Sequence, residues 1–257
     1  MAQQPMYRRI AEDLRLKIES GVLPAGKQLP TEGELSEEYG GASRNTIREA
    51  IRWLSSRRLV GTQPGRGTFV AEQVKQFNVP LNRPIESEAF EAAVREQGRV
   101  PRMDPPKVEV QSAGAELVSE LQVEPGSSVV IRHQERFIDG GPSSLQTSYY
   151  PMAFVDGGAV ELLQAKDITK GATKYVEEKL GIKQAGYRDR LRVRSPNAGE
   201  VTFFGVPDDG TVLMVVTNRT AYTAEGKPIR FTVTVFPADR NDFIFESGRV
   251  PPLDSSN

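Results

Sequence analysis

Ser43-Arg44-Asn45-Thr46-Ile47-Arg48-Glu49-Ala50-Ile51-Arg52-Trp53-Leu54 reads as a helix with two chemically distinct faces. Ser43 is placed to cap it. Ile47, Ala50, Ile51 and Leu54 recur at helical spacing and predict an inward face. Arg44, Asn45, Arg48 and Arg52 share the opposite side. From Arg44 to Arg66 there are six arginines and one acid, Glu49, a local charge of +5 over 23 residues in a chain whose net charge is −1. A solvated helix face can carry such charge. It is also the electrostatic footprint that duplex phosphates attract.

Working outward from this helix gives a module. Tyr7, Ile10, Ala11, Leu14 and Ile18 form one apolar stripe, a first helix that Gly21 stops before the Pro24–Gly26 loop. Thr31 with Glu34 three residues on is a capping box for a second helix, whose buried side is Leu35 and Tyr39. Gly40-Gly41-Ala42 is the turn before Ser43. Beyond the third helix, Leu59–Thr62 and Gly67–Val70 read as two short strands around Gln63-Pro64-Gly65-Arg66, a hairpin with a glycine-rich tip. Three helices followed by such a hairpin are the pattern of a winged helix-turn-helix. In that geometry the third helix enters the major groove, and its first turns meet base edges. Arg44, Asn45, Thr46 and Arg48 are so placed, while Arg52, Arg57 and Arg58 lie further along, where phosphates run. Gly65, Arg66 and Gly67 let the tip approach the duplex, with Arg66 able to enter a minor groove.

From Glu72 to about Pro106 the chain holds Pro80, Pro84, Pro101, Pro105 and Pro106 and reads as a connector, with a short helix near 86–97, plus the start of the second domain. From Lys107 the texture becomes α+β. Strands are expected at Val108–Val110, Val129–Ile138, Ser144–Tyr150, Tyr187–Arg194, Val212–Tyr222 and Ile229–Phe236. Helices are expected at Ala113–Leu121, Gly158–Gln164, Thr173–Leu180 and Asn197–Phe204. Asp139-Gly140-Gly141-Pro142 is a tight turn between two of the strands. Strands outnumber crossover helices, which predicts a mainly antiparallel sheet with helices on one side. The domain layout expected is a DNA-binding domain over 1–72, a linker over 73–98, an effector and dimerisation domain over 99–250, and a disordered tail over 251–257.

Composition excludes several classes. There is no cysteine, and His133 is the only histidine, so neither a disulfide framework nor a zinc site built on several histidines is available. Neither a metal nor a cofactor is expected. The polar start MAQQPM is no signal peptide, and no apolar run approaches the roughly 20 residues that span a bilayer. A soluble, cytoplasmic, nucleoid-associated protein is expected. Catalysis is not: no Gly-x-Ser-x-Gly elbow accompanies His133, and no phosphate-cradling loop with Lys-Ser/Thr is present.

Residues 6–70 resemble the DNA-binding domain of the GntR family. The carriers are Tyr7-Arg8-Arg9-Ile10-Ala11, Gly21-Val22-Leu23-Pro24-Ala25-Gly26, Leu29-Pro30-Thr31-Glu32, Ser43–Arg48 and Gly65–Val70, in that order. The resemblance implies that Arg44, Arg48 and Gly65 contact operator DNA. Two departures stand out. Gly33 occupies a place where the family usually has a base-reading arginine, and the turn before Ser43 has one extra residue. About 98–250 resembles the UTRA ligand-binding domain of HutC-type members. Here the carriers are Arg99-Val100-Pro101-Arg102, Val123-Glu124-Pro125-Gly126, Arg136–Pro142, Thr147–Pro151, Glu225–Ile229 and Asp239–Phe243. That implies a chorismate-lyase-like α+β fold that binds a small molecule without transforming it, and a homodimer.

The resemblance also places Arg136, Gln146, Ser148, Tyr149, Arg230 and Phe236 around a ligand pocket, with Arg132 and Gln134 their neighbours. Arginine forks suit a carboxylate or phosphate, so a polar or anionic effector is expected. Gln146, Arg230 and Phe236 stand where sugar-phosphate sensors tend to have two glutamates and a tyrosine, which argues against an amino-sugar phosphate. The function expected is a regulator, a repressor, that binds a pseudo-palindromic operator as a homodimer and responds to an effector. The competing reading is a protein-interaction adaptor with a degenerate DNA-binding domain.

Overall fold

The computed structural model describes residues 5–57, 59–63, 65–71, 76–81, 87–168, 170–210 and 212–251. Arg58, Pro64 and Glu72, residues 73–75 and 82–86 of the expected connector, and residues 252–257 of the expected tail lie outside them. The chain divides into two compact units, Met1–Gln76 with Asn197–Thr211, and Phe77–Pro196 with Val212–Asn257.

The first unit opens with α1 (Met6–Glu19), α2 (Glu32–Glu38), α3 (Arg44–Ser56), β1 (Val60–Gln63) and β2 (Gly67–Val70). Its core is the set that periodicity selects: Ile10, Ala11 and Leu14 of α1, Leu35 of α2, and Ile47, Ala50 and Leu54 of α3, closed by Val60 and Val70. The caps form as the side-chain chemistry dictates. Thr31 Oγ1 accepts from the Glu34 amide at 3.3 Å, and Glu34 Oε2 accepts from the Thr31 amide at 2.7 Å. Ser43 Oγ accepts from the Thr46 amide at 3.1 Å, which starts α3 at Arg44. The extra turn residue is absorbed: Ala42 is buried, and its carbonyl accepts from Ser36 Oγ at 2.7 Å.

The second unit contains β3 (Phe77–Pro80), α4 (Ser87–Glu96), β4 (Pro101–Met103), β5 (Lys107–Ser112), α5 (Ala115–Leu121), β6 (Ser128–Ile138), β7 (Gly141–Pro151), α6 (Ala153–Asp156), α7 (Ala172–Leu180) and β8 (Gly186–Arg194). After the segment that carries α8 (Ala198–Phe204) come β9 (Met214–Tyr222), β10 (Pro228–Pro237) and β11 (Asn241–Ile244). Seven strands form one antiparallel sheet in the order β4-β6-β7-β10-β9-β8, with β5 also on β6. The β6–β7 turn places Asp139 and Gly140 at φ 52° and 79°, the double positive φ that a tight hairpin favours.

Two placements bear on the expected layout. The stretch 73–98 is more than a connector: β3 pairs in parallel with β11, and Phe77, Val79, Phe90, Ala93 and Val94 are buried with Ile138 and Phe236. Pro80 and Pro84 obscured the apolar alternation of Phe77 and Val79 that the strand uses. Likewise, residues 197–211, expected in the effector domain, group with the first unit, where Asp209 Oδ2 accepts from Arg8 Nη2 at 2.5 Å.

Candidate functional site

The first candidate site is the outer face of α3 with the β1–β2 hairpin. Arg44, Asn45, Arg48 and Arg52 are exposed and Thr46 is half-buried, because burial of Ile47, Ala50 and Leu54 turns these positions outward. Arg48 is engaged: its Nε donates to both carboxylate oxygens of Glu32, at 2.9 and 3.0 Å, from α3 to α2. Gly65 and Arg66 are exposed at the hairpin tip. Gln28 Nε2 donates to the Arg66 carbonyl at 2.8 Å and so anchors the tip. Gly67 has φ +111°, a backbone conformation that favours glycine, and a Cβ there would stand 2.4 Å from Gln28 Nε2 and displace that side-chain end from its bond to Arg66. The Gln28 anchor escaped sequence reading because its partner is a backbone carbonyl 38 residues away. At Gly33 an added Cβ would meet only Thr31 Oγ1, at 3.9 Å.

The second candidate site is one face of the large sheet. Register decides which side chains share it, since paired residues project to the same side. Arg132 pairs with Ser148, Gln134 with Gln146 and Arg136 with Ser144; Ser148 and Gln146 pair in turn with Thr232 and Thr234. These pair with Arg219 and Thr217 of β9. The result is a polar strip across the middle of the sheet, buried throughout. Tyr150, Ala221 and Val130 belong to an apolar cluster on one flank, and Phe77, Phe90 and Phe236 to one on the other.

The strip opens into two adjoining hollows. One is lined by Arg132, Gln134, Gln146, Ser148, Tyr150 and Arg230, with Pro106, Asp167, Ile168 and Ala172 around them. The other is lined by Thr217, Arg219, Thr232 and Thr234 and shares Gln146 and Arg230 with the first. Gln146 Nε2 donates to Thr234 Oγ1 at 3.3 Å, and Ser148 and Thr232 hydroxyls lie 3.2 Å apart.

The arginines differ in their engagements. Arg132 clasps a loop: Nη1 donates to the Leu162 and Gln164 carbonyls at 2.7 and 2.8 Å, and Nη2 to that of Lys166 at 2.7 Å. Burial holds its pKa below the ordinary arginine value, only partly countered by Tyr150 and Asp167. Arg219 makes a fork on Asp189 at 2.7 and 2.6 Å and lies 3.8 Å from the Tyr187 ring. Arg136 is fully buried, donates from Nη2 to Gln146 Oε1 at 2.6 Å, and lies 4.9 Å from the Phe90 ring. A buried cation costs free energy unless an anion or a full set of acceptors meets it. Four guanidiniums share this face, and among the described residues Asp189 and Asp167 are carboxylates beside them.

Three expected ligand residues are placed differently. Tyr149 is on the opposite face, stacked on Phe231 with centroids 5.8 Å apart, and Tyr150 lines the hollow instead. Strand alternation makes this a one-residue matter: Gln146 and Ser148 share parity with Tyr150, not Tyr149. Phe236 is a core residue, edge-on to Phe243 at 5.5 Å. Arg136 sits toward that same cluster and lines neither hollow. Sequence reading missed Tyr150, Asp167, Arg219 and the threonines Thr217, Thr232 and Thr234. The alternation of Thr232 and Thr234 with valines was the available signal. His133 lies on the Tyr149 side, its Nδ1 2.8 Å from Thr147 Oγ1. Among the described residues no group of acidic or histidine side chains is arranged to hold a metal, and no helix is long and apolar enough to cross a membrane.

Residues 6–70 match the family of bacterial regulatory proteins described as the gntR family, and residues 96–242 match the UTRA domain. The HTH-type transcriptional regulator Rv0792c of Mycobacterium tuberculosis is 30% identical over 252 residues, covering 96% of this chain and 88% of that one. The HTH-type transcriptional repressor NagR of Bacillus subtilis is 24% identical over 247 residues, 96% of each chain. The crystal structure of PhnF from Mycobacterium smegmatis superposes with a TM-score of 0.57 at 22% identity, over 93% of this chain and all of that one.

Proposed function

This chain belongs to the GntR family of bacterial transcriptional regulators, with the winged helix-turn-helix and UTRA domain typical of HutC-type members, and on that premise we propose that it represses transcription as a homodimer whose grip on a pseudo-palindromic operator is set by a small anionic effector. Arg44, Asn45 and Thr46 read base edges, joined by Arg48 once it leaves Glu32. Arg52 meets phosphate, and the Gly65-Arg66-Gly67 tip reaches the neighbouring groove. The effector lies in the paired hollows. Arg230 and Gln146, common to both, hold its charged end, while Ser148, Gln134, Tyr150 and the three threonines supply neutral hydrogen bonds. The effector is bound and not transformed, and the protein works in the cytoplasm.

One observation carries this reading: Arg132, Arg136, Arg219 and Arg230 lie buried on one sheet face, and Arg230 lines both hollows with Gln146. Such a surface gains most from a ligand that brings negative charge. Sign of regulation is taken from NagR, named a repressor. The test is reciprocal linkage. A panel of small carboxylates and phosphate esters is titrated against the protein alone and against protein saturated with its selected operator. An effector must change operator affinity by the same factor by which operator changes effector affinity. A ligand that binds the hollows and leaves operator affinity unchanged refutes the regulatory part of the proposal.

A further inference from the structure

The strand β8, at one end of the large sheet, carries Arg188, Arg190, Arg192 and Arg194 at alternate positions. Alternation puts all four on one face, and all four are exposed. Alternate strand residues stand about 6.7 Å apart, so the row is roughly 20 Å long. Its register sets Arg188, Arg190 and Arg192 beside Thr220, Asn218 and Val216 of β9. Asp189 projects to the other face, where Arg219 takes it. On the arginine side Glu120 of α5 pairs with Arg190. Arg188 lies 5.5 Å from the Tyr222 ring centroid, and Arg194 Nη1 donates to the Ser195 carbonyl at 3.0 Å. Arg192 has neither ion pair nor hydrogen bond among the described residues.

The surrounding sequence strengthens the charge. Residues 179–194 hold six cations and one acid, a local +5 over 16 residues. That equals the charge of the segment around α3. Edge strands often carry charge to discourage pairing with other chains, and lysine serves that purpose as well as arginine. Here all four are arginine, whose fork matches phosphate geometry.

The geometry points to this arginine row as a second polyanion-binding surface, one that takes backbone phosphates of duplex DNA without reading sequence. DNA is the partner by charge complementarity and by circumstance. A regulator held on DNA by α3 meets that polymer at high effective concentration, and arginines engage phosphates by displacing condensed counterions. The surface is separate from the operator-reading residues and from the ligand hollows.

The test uses the full chain and a long duplex that lacks the operator, with binding followed by fluorescence anisotropy between 50 and 200 mM salt. Because the duplex carries no operator, the outcome is independent of whether α3 selects a sequence. In an Arg44→Ala/Arg48→Ala background, adding Arg188→Ala, Arg192→Ala and Arg194→Ala lowers the salt slope by about 2.7, at about 0.9 per lost phosphate contact. The corresponding lysine triple retains the slope. Should the alanine triple fold poorly, Arg192→Gln alone, at a side chain that holds nothing in place, lowers the slope by about 0.9. An unchanged slope in well-folded variants overturns the proposal. So does a triple variant that loses binding to polyglutamate and keeps its DNA slope, which would assign the row to an acidic protein. A variant that turns from dimer to monomer also overturns it, because the row would then be an interface between copies.

Discussion

Arg48 Nε meets both carboxylate oxygens of Glu32, at 2.9 and 3.0 Å, so an arginine of the DNA-reading helix is held by the helix before it. The pair is exposed and salt screens it, which makes it an exchangeable restraint on Arg48. Glu32→Gln should raise operator affinity several-fold at low salt, with the gain shrinking as salt rises. Glu37→Gln removes an equal charge from the same helix without touching Arg48 and should do much less. Gel-shift titrations of the two variants check this. Equal gains would mean that general electrostatics, not release of Arg48, is responsible.

Gly33 sits within the first turn of α2, in a conformation that accepts a side chain and with room for one. Gly33→Arg gains up to about 1 kcal/mol of helix propensity. A cation near a helix N-terminus gives back about 0.3–1 kcal/mol. Thermal stability should therefore stay close to native, while operator affinity rises. A base-specific contact worth about 1–3 kcal/mol would also narrow sequence preference at one position per half-site. A gain that is uniform across sequences would show a phosphate contact instead.

Tyr149 and Tyr150 are neighbours in sequence and lie on opposite faces. Tyr150→Phe should weaken effector binding by roughly tenfold if its hydroxyl donates, the effect of about 1.4 kcal/mol for one hydrogen bond. Tyr149→Phe should leave it unchanged. Arg230→Gln should abolish the rise in Tm that a saturating anionic effector produces. Phe236→Ala should behave differently again, costing about 3–5 kcal/mol of stability as a core truncation.

His133 is the only histidine, and burial lowers its pKa from the ordinary value. The folded chain then binds fewer protons than the unfolded chain below about pH 6.5. Stability contributed by the neutral ring is present above that pH and lost as pH falls through the window beneath it. Tm should decline between pH 7 and 5.5, and His133→Gln should flatten the decline. Carboxylates whose pKa values are lowered by partners, such as Asp13 beside Lys17 and Tyr39, act further down the scale.

The DNA-binding module was legible almost throughout because its signals are local. Thr31 and Glu34 cap across three residues, Ser43 caps Thr46, and Ile47, Ala50 and Leu54 repeat at helical spacing. Each of those facts is decided within one or two turns. The sheet domain was legible in its strands and less so in its faces. A strand's parity is fixed by partners tens of residues away, so a slip of one residue exchanged Tyr150 for Tyr149. Arg132 looked like a ligand residue by type, yet its guanidinium is satisfied by carbonyls of residues 162–166, which carry no sequence signature. Phe77 and Val79 were masked by the prolines around them, although their alternation is that of the strand they form.

The most direct test is selection from a randomised duplex pool at about 100 mM salt, with native protein and with Arg44→Ala/Arg48→Ala. Enrichment of an inverted repeat by the native chain, lost in the double variant, is the predicted result, since it requires both a dimer and the exposed face of α3. Failure of the native chain to enrich any sequence, with and without candidate anionic effectors, would contradict operator reading and favour an interaction protein with a disabled DNA-binding domain.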